Sequence, residues 1–143
     1  MTSLSPLTNL HPAVAIHLCA ALAATAIGPL ALWARRRQAQ RPRLHRAAGY
    51  AWVTLMVMVA ISALFITGST GPRWNGLGPI HLLVPITLGT LLASFTCLVR
   101  GKLLGHRRCM QGLYIGACLM AGAFTLLPNR LLGHWLGAQF GGL

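Results

Sequence analysis

The chain contains four stretches of about 20 residues in which Asp, Glu, Lys and Arg are all absent. These stretches cover residues 13–33, 47–66, 79–99 and 109–127. A helix needs roughly 20 apolar residues to cross a bilayer core about 30 Å thick. The pattern therefore predicts an all-α integral membrane protein with four transmembrane helices, in a single transmembrane domain that takes in residues 1–143.

Composition narrows the function classes. The chain has 12 Lys and Arg residues and no Asp or Glu, which gives a formal net charge of +12. Because the basic residues lie between apolar stretches, they do not form the continuous basic face of a nucleic-acid-binding protein, and we expect no nucleic-acid partner. The lack of carboxylates also excludes a Ser-His-Asp triad, a carboxylate proton relay and a hard-cation site.

Positive charge is distributed unevenly among the connections. Ten of the 12 basic residues lie between the first and second stretches or between the third and fourth, and two lie elsewhere. The positive-inside rule therefore places both basic connections in the cytoplasm and both termini outside, in a bacterial inner membrane. We expect the basic connections to attract anionic lipids.

The two ends of the chain also carry signals. No basic residue precedes the first stretch, and Arg35 to Arg37 follow it, so we expect a retained membrane helix and not a cleaved signal peptide. The apolar segment 129–140, with Trp135 and Phe140, is too short to span the bilayer. We expect it to lie at the outer interface.

Histidines recur in the same order in both halves of the chain. Ile16-His17-Leu18 matches Ile80-His81-Leu82, and His45-Arg46 matches His106-Arg107. Within each half, one helix and one basic connection lie between the first histidine and the second, that is, between His17 and His45 and between His81 and His106. The repeat predicts a four-helix bundle built from two tandem helical hairpins, related by a pseudo-twofold axis along the membrane normal.

This repeat predicts two bis-histidine sites, one in each leaflet. Equivalent helices can face each other across the axis, which pairs His17 with His81 and His45 with His106. Two neutral imidazoles on opposite sides of the iron are the ligands of many b-type haems. Arg46 and Arg107 can then pair with the haem propionates. The alternatives are a single haem, or no cofactor, with each histidine bonded to water, lipid phosphate or a backbone carbonyl.

The stretch from His17 to Arg130 resembles a bacterial family of predicted four-helix membrane proteins of unknown function. Members have a His early in helix one, a His-Arg...Gly motif opening helix two, and a His-Arg-type motif before helix four. The matching residues here are His17, His45-Arg46 with Gly49, and His106-Arg107. This resemblance implies no particular activity.

The histidine layout is also similar to that of the ascorbate-reducible transmembrane di-haem cytochrome b family. That family carries its ligands on four consecutive helices, paired first with third and second with fourth. The present chain is shorter and lacks that family's flanking helices. The resemblance implies His17 with His81, and His45 with His106, as haem iron ligands.

Two functions follow as expectations. The first is a transmembrane electron-transfer protein, a membrane oxidoreductase component if it is an enzyme at all, with a quinone among its candidate partners. The second is a cofactor-free accessory subunit of a larger respiratory or photosynthetic membrane complex, a role that small-residue helix faces would suit.

Overall fold

A computed structural model describes residues 11–34, 41–66 and 79–126, and these residues are helical apart from short caps and turns. Three long helices come first: α1, Pro12–Trp33; α2, Pro42–Leu64; and α3, Pro79–Val99. The fourth helix comprises α4, Leu103–Leu113, a π-helical segment, Tyr114–Met120, and α5, Ala121–Thr125. No strand occurs in these ranges, so the predicted all-helical class is confirmed for them.

Three helices are long and apolar enough to cross a membrane: Pro12–Trp33, Pro42–Leu64 and His81–Val99. The fourth predicted span, 109–127, differs from them. Its helix changes to π-helical geometry between Tyr114 and Met120, so its longest α-helical segment has 11 residues. The described part of the chain therefore has four helices and three candidate spans. The predicted interfacial tail, 129–140, lies outside the described residues.

Proline marks where the first three helices begin. Pro12, Pro42 and Pro79 are each the first helical residue, a position where a missing N–H costs no hydrogen bond and the fixed φ suits the helix. Helix α2 thus begins five residues before its predicted start at Ala47. Hydropathy locates the apolar part of a helix, whereas the helix itself continues into the basic segment.

The fourth helix shows the same difference, because α4 begins at Leu103 and the predicted span began at Cys109. As a result, His45 and His106 both lie inside helices, in the first turns of α2 and α4. Arg107 and Arg108 are likewise helical residues and not part of a loop.

A three-residue turn connects α3 to α4. Gly101 has a φ of 70° and donates its N–H to the carbonyl of Leu98 at 3.1 Å, while Lys102 donates to the carbonyl of Cys97 at 2.8 Å. These are the two bonds of a Schellman motif, which ends a helix on a residue in the left-handed region. The turn holds α3 and α4 antiparallel.

Replacing Gly101 by Ala is expected to lower the free energy of unfolding by about 1 kcal/mol, because a Cβ disfavours positive φ. Thermal unfolding of the purified protein in detergent measures the effect. Gly112→Ala is the matched control, since Gly112 is helical and exposed, and a Cβ there meets nothing within 4 Å. Equal losses in both variants would contradict the role of the turn.

The helices pack as two hairpins against each other. Helix α1 lies along α2, α3 lies along α4, α2 contacts α3, and the π-helical segment contacts α1. All four helices contribute to the main buried cluster, which consists of Ala24, Trp52, Met56, Leu91, Leu113 and Cys118. The core therefore joins the two hairpins and does not belong to either alone.

All described Arg and Lys residues lie where α1 and α3 finish and α2 and α4 begin, and we call this the basic end. They are Arg41, Arg43, Arg46, Arg100, Lys102, Arg107 and Arg108, and all are exposed. Arg41 is additionally placed over the ring of Trp33, 5.8 Å from its centroid. His17 and His81 lie towards the opposite end, the far end.

Candidate functional site

A cavity of about 450 Å³ opens at the basic end and is lined by residues of all four helices. This volume lies in the range of about 300–1,000 Å³ found for small-molecule and cofactor pockets. Much of its wall is apolar, formed by side chains such as Val53, Phe95, Leu98 and Met110. Such a wall suits a largely apolar ligand, held in place by a few polar groups.

Four of the six predicted site residues meet in this cavity. His45 and Arg46 reach it from the start of α2, and His106 and Arg107 reach it from the start of α4. The two His-Arg pairs occupy corresponding positions in the two hairpins. The structure therefore brings together the pair that the repeat predicted for the cytoplasmic side.

Each histidine is oriented by a hydrogen bond to the helix that precedes its own. His45 of α2 contacts α1, and His106 of α4 contacts α3. His45 Nδ1 lies 2.9 Å from the carbonyl oxygen of Ala31 in α1. His106 Nδ1 lies 3.2 Å from the carbonyl oxygen of Ser94 in α3 and 2.8 Å from its Oγ. Because a carbonyl oxygen only accepts, a hydrogen bond from either ring to its carbonyl requires the proton on Nδ1.

The tautomer decides what these side chains can do chemically. With Nδ1 protonated in a neutral imidazole, Nε2 keeps an unshared electron pair. Proteins commonly orient a metal-ligating histidine through a hydrogen bond from its Nδ1–H to a backbone carbonyl or a carboxylate. The contacts of His45 and His106 with backbone carbonyls match this arrangement.

The donor set that the cavity offers consists of two imidazoles, from His45 and His106. Within the described ranges, no group of three or more His, Cys, Asp or Glu side chains is placed to hold a metal ion. Haem needs only two protein ligands, because its porphyrin supplies the other donors. Two imidazoles beside an apolar cavity meet that requirement.

The arginines of the cavity have no acidic partner in the protein. Arg46 and Arg107 are exposed, and the chain contains no Asp or Glu that could neutralise them. An arginine pairs most strongly with a carboxylate or phosphate, often through two parallel hydrogen bonds. The cavity therefore favours a ligand that is apolar in its body and anionic where it meets these arginines.

Trp52 is a residue of the cavity wall that sequence reasoning missed. The residue is 4% exposed, and its Nε1 has no hydrogen-bond partner among the described residues. The sulfur of Cys118 lies within reach, but thiol sulfur is a weak acceptor and no hydrogen bond of acceptable geometry forms. In the sequence, Trp52 is one aromatic residue in an apolar stretch, and no pattern marks it.

Gly28 and Tyr114 complete the wall beside Trp52. A Cβ on Gly28 would overlap the ring of Tyr114 and lie 3.2 Å from Trp52 Nε1. Tyr114, the first residue of the π-helical segment, donates its hydroxyl to the carbonyl of Thr25 at 3.2 Å. Gly28 thus lets the fourth helix approach α1 closely, an interaction between distant parts of the sequence.

The far-end histidines do not line the cavity. His17 Nδ1 lies 3.1 Å from both the carbonyl oxygen of Val59 and the Oγ of Ser62 on α2, which fixes its tautomer in the same way. His81 lies half-buried in the first turn of α3. Its pairing with His17 stays a prediction.

Comparison with known proteins identifies a family but no activity. A family model described as "Predicted membrane protein (DUF2306)" matches residues 14–138. No curated protein matches the chain, and neither does any solved structure. The expected resemblance to an uncharacterised membrane protein family is confirmed, whereas the similarity to di-haem cytochromes stays an expectation.

Proposed function

We propose that this chain, which belongs to the DUF2306 family of predicted membrane proteins, transfers electrons across a membrane through bound b-type haem. One observation carries the proposal. His45 and His106, from different hairpins, line the same cavity, and each has its Nδ1 bonded to a backbone carbonyl. Both Nε2 atoms are thereby left able to ligate iron.

Each group in the cavity then has a defined task. His45 and His106 would hold haem iron between them, and Arg46 and Arg107 would neutralise the propionates. An iron coordinated by two histidines exchanges single electrons without a free coordination position, and the apolar shell tunes its potential. Hydrogen bonds from Nδ1–H to the carbonyl oxygens of Ala31 and Ser94 would keep each Nε2 available for iron.

The repeat extends the proposal to a second haem at the far end, held by His17 and His81. His17 is oriented by Val59, 14 residues after His45 on the same helix, or about 20 Å along its axis at 1.5 Å per residue. Two haems would divide the thickness of the bilayer into shorter electron-transfer steps. A quinone would be a suitable partner because it carries electrons within the lipid.

The positions of the Arg and Lys residues support an orientation of the protein in the membrane. All seven described basic residues lie at the basic end, which by the positive-inside rule favours a cytoplasmic position for this end. The proposed location is a bacterial inner membrane, with both termini outside. There the arginines would also meet anionic lipids. In this arrangement the fourth helix, despite its π-helical segment, is the fourth span of a four-helix bundle.

A second candidate is a cofactor-free accessory subunit of a larger membrane complex. The observation in its favour is that the histidines already have structural partners. His45 donates a hydrogen bond to the carbonyl oxygen of Ala31 in the last turn of α1. Carbonyls in the last turn of a helix have no partner within the helix and need one from outside it. For an accessory subunit, the same hydrogen bonds would serve only to hold the two helices of each hairpin together.

Absorption spectroscopy distinguishes the two functions. The full chain is expressed in cells supplied with haem and purified in mild detergent, and the reduced-minus-oxidised spectrum is recorded. The electron-transfer proposal expects the sharp bands of low-spin b-type haem at one or two haems per chain. A flat spectrum would overturn it, and co-purification with a stable larger assembly would then support the accessory role.

Electron transfer itself needs a second measurement. Lipid vesicles containing the protein are loaded with ferricyanide, and a membrane-impermeant reductant is added outside. We expect trapped ferricyanide to be reduced faster than in protein-free vesicles. Haem bands without this acceleration would leave haem binding established and would refute transfer across the membrane.

A further inference from the structure

A buried hydroxyl, that of Ser94, lies against the ring of His106. Ser94 is completely buried, and its Oγ lies 2.8 Å from His106 Nδ1. The carbonyl oxygen of the same serine lies farther from Nδ1, at 3.2 Å. That carbonyl belongs to the interior of α3, where it also accepts the N–H of the residue four positions later. The hydroxyl is therefore the closer acceptor for Nδ1–H, and it is one that the helix backbone does not share.

The hydroxyl proton of Ser94 has an acceptor of its own. Oγ lies 3.4 Å from the carbonyl oxygen of His106, to which it donates. With its proton directed there, the hydroxyl oxygen keeps lone pairs that can accept from Nδ1–H. A neutral imidazole without a proton on Nδ1 would instead turn a lone pair towards the carbonyl oxygen of Ser94, which only accepts. Both contacts therefore favour the tautomer that leaves Nε2 unprotonated.

The same arrangement recurs in the other hairpin. His17 Nδ1 lies 3.1 Å from the Oγ of Ser62 and 3.1 Å from the carbonyl oxygen of Val59. Ser62 is also buried, and its hydroxyl donates to the carbonyl of Met58 at 2.7 Å. A buried serine thus accompanies one histidine in each hairpin, whereas the ring of His45 is bonded to a backbone carbonyl.

We infer that Ser94 is a positioning residue for His106, whose hydroxyl holds the imidazole in the tautomer with the proton on Nδ1 and makes Nε2 a stronger electron donor. A hydrogen bond from Nδ1–H raises the basicity of a ligating imidazole. The bond that the hydroxyl donates in turn strengthens the one it accepts, because linked hydrogen bonds polarise one another. The consequence at iron rests on the proposed function, but the tautomer is measurable without a cofactor.

Nitrogen-15 NMR of the haem-free protein tests the tautomer. The full chain carries labelled histidine, the ring signals of His106 are identified by their loss in His106→Ala, and spectra are recorded at a pH where imidazole is neutral. We expect the ratio of Nδ1–H to Nε2–H forms to fall about tenfold in Ser94→Ala, as for the loss of one buried hydrogen bond.

Two further variants make the NMR measurement decisive. Ser94→Cys nearly preserves the side-chain volume but offers a weak acceptor, so the ratio should fall there too, even if the alanine variant fails to fold. Thr96→Ala is the control, because this exposed hydroxyl of α3 donates to carbonyls of its own helix. It should keep the wild-type ratio. An unchanged ratio in the Ser94 variants would overturn the inference.

The reduction potential of haem-loaded protein tests the consequence at iron. A weaker donor stabilises ferric iron less, so the affinity for ferric relative to ferrous haem should fall about tenfold in Ser94→Ala. For a one-electron couple, this change raises the midpoint potential by about 59 mV. Thr96→Ala should keep the wild-type potential. A hydroxyl that only stabilised the fold would lower the unfolding temperature without moving the tautomer ratio or the potential.

The outcomes separate this inference from the proposed function. A lower tautomer ratio in Ser94 variants of a protein that binds no haem supports the role of Ser94 and overturns the haem proposal. A wild-type ratio together with a wild-type potential in haem-loaded Ser94 variants overturns the role of Ser94 and leaves the haem proposal intact.

Discussion

Purified His106→Ala protein is expected to lose the absorption bands of bis-histidine haem at the cavity, and His45→Ala is expected to lose them too. If the cavity holds haem as proposed, each variant removes one of the two proposed iron ligands, which come from different hairpins. The remaining imidazole would leave iron with an open coordination position. At least half of the low-spin signal should disappear if two haems are bound, and all of it if the cavity holds the only one.

Two controls separate ligation from a structural role. His11→Ala changes an exposed histidine at the start of α1, whose ring accepts a hydrogen bond only from Ala13 in the described ranges, and it should retain the full spectrum. Imidazole added to His106→Ala should restore low-spin bands, because a free imidazole can occupy the vacated ligand position. A wild-type spectrum in both cavity variants would exclude His45 and His106 as iron ligands.

Loss of a structural bond alone would give a different result. A neutral interhelical hydrogen bond contributes about 1 kcal/mol, so His106→Ala as a purely structural change would lower the unfolding temperature modestly without changing the haem spectrum. Because the accessory-subunit reading predicts only this modest effect, one set of variants tests both candidate functions.

The sequence predicted those properties of the fold that depend on transfer from water to lipid. Hydropathy located three candidate spans, and α3 has the predicted bounds of 79–99. It misplaced the starts of α2 and α4 because helical hydrogen bonding continues through basic residues when a proline or a tight turn sets the start. Hydropathy also carries no information on the π-helical geometry of Tyr114–Met120, the segment of the fourth helix that contacts α1.

Only part of the candidate site could be predicted from the sequence. The repeated His-Arg pairs predicted that residues of α2 and α4 would meet, and the cavity contains both pairs. Trp52 was not predicted, because an unpaired donor is recognised only when every neighbouring acceptor is known. Gly28 was not predicted either, since its role depends on the ring of Tyr114 from another hairpin.

Filling the cavity from Gly49 is expected to exclude the cofactor without unfolding the protein. Gly49 lies on α2 in the cavity wall, and a Cβ built on it meets nothing within 4 Å. The side chain of Gly49→Leu therefore extends into space that the ligand needs and not into packed protein. Overfilling a packed site typically costs about 1–3 kcal/mol, which corresponds to roughly 5- to 150-fold weaker binding.

Gly89→Leu is the matched control for this variant. Gly89 is a helical glycine of α3 whose Cβ would also meet nothing within 4 Å, but it is exposed and does not line the cavity. Haem per chain, measured after extraction, should fall in Gly49→Leu and stay at the wild-type value in Gly89→Leu. Both proteins should unfold near the wild-type temperature in their haem-free forms, because neither leucine displaces a packed neighbour. Full haem occupancy in a folded Gly49→Leu protein would place the cofactor elsewhere, even if His45 and His106 proved necessary for binding.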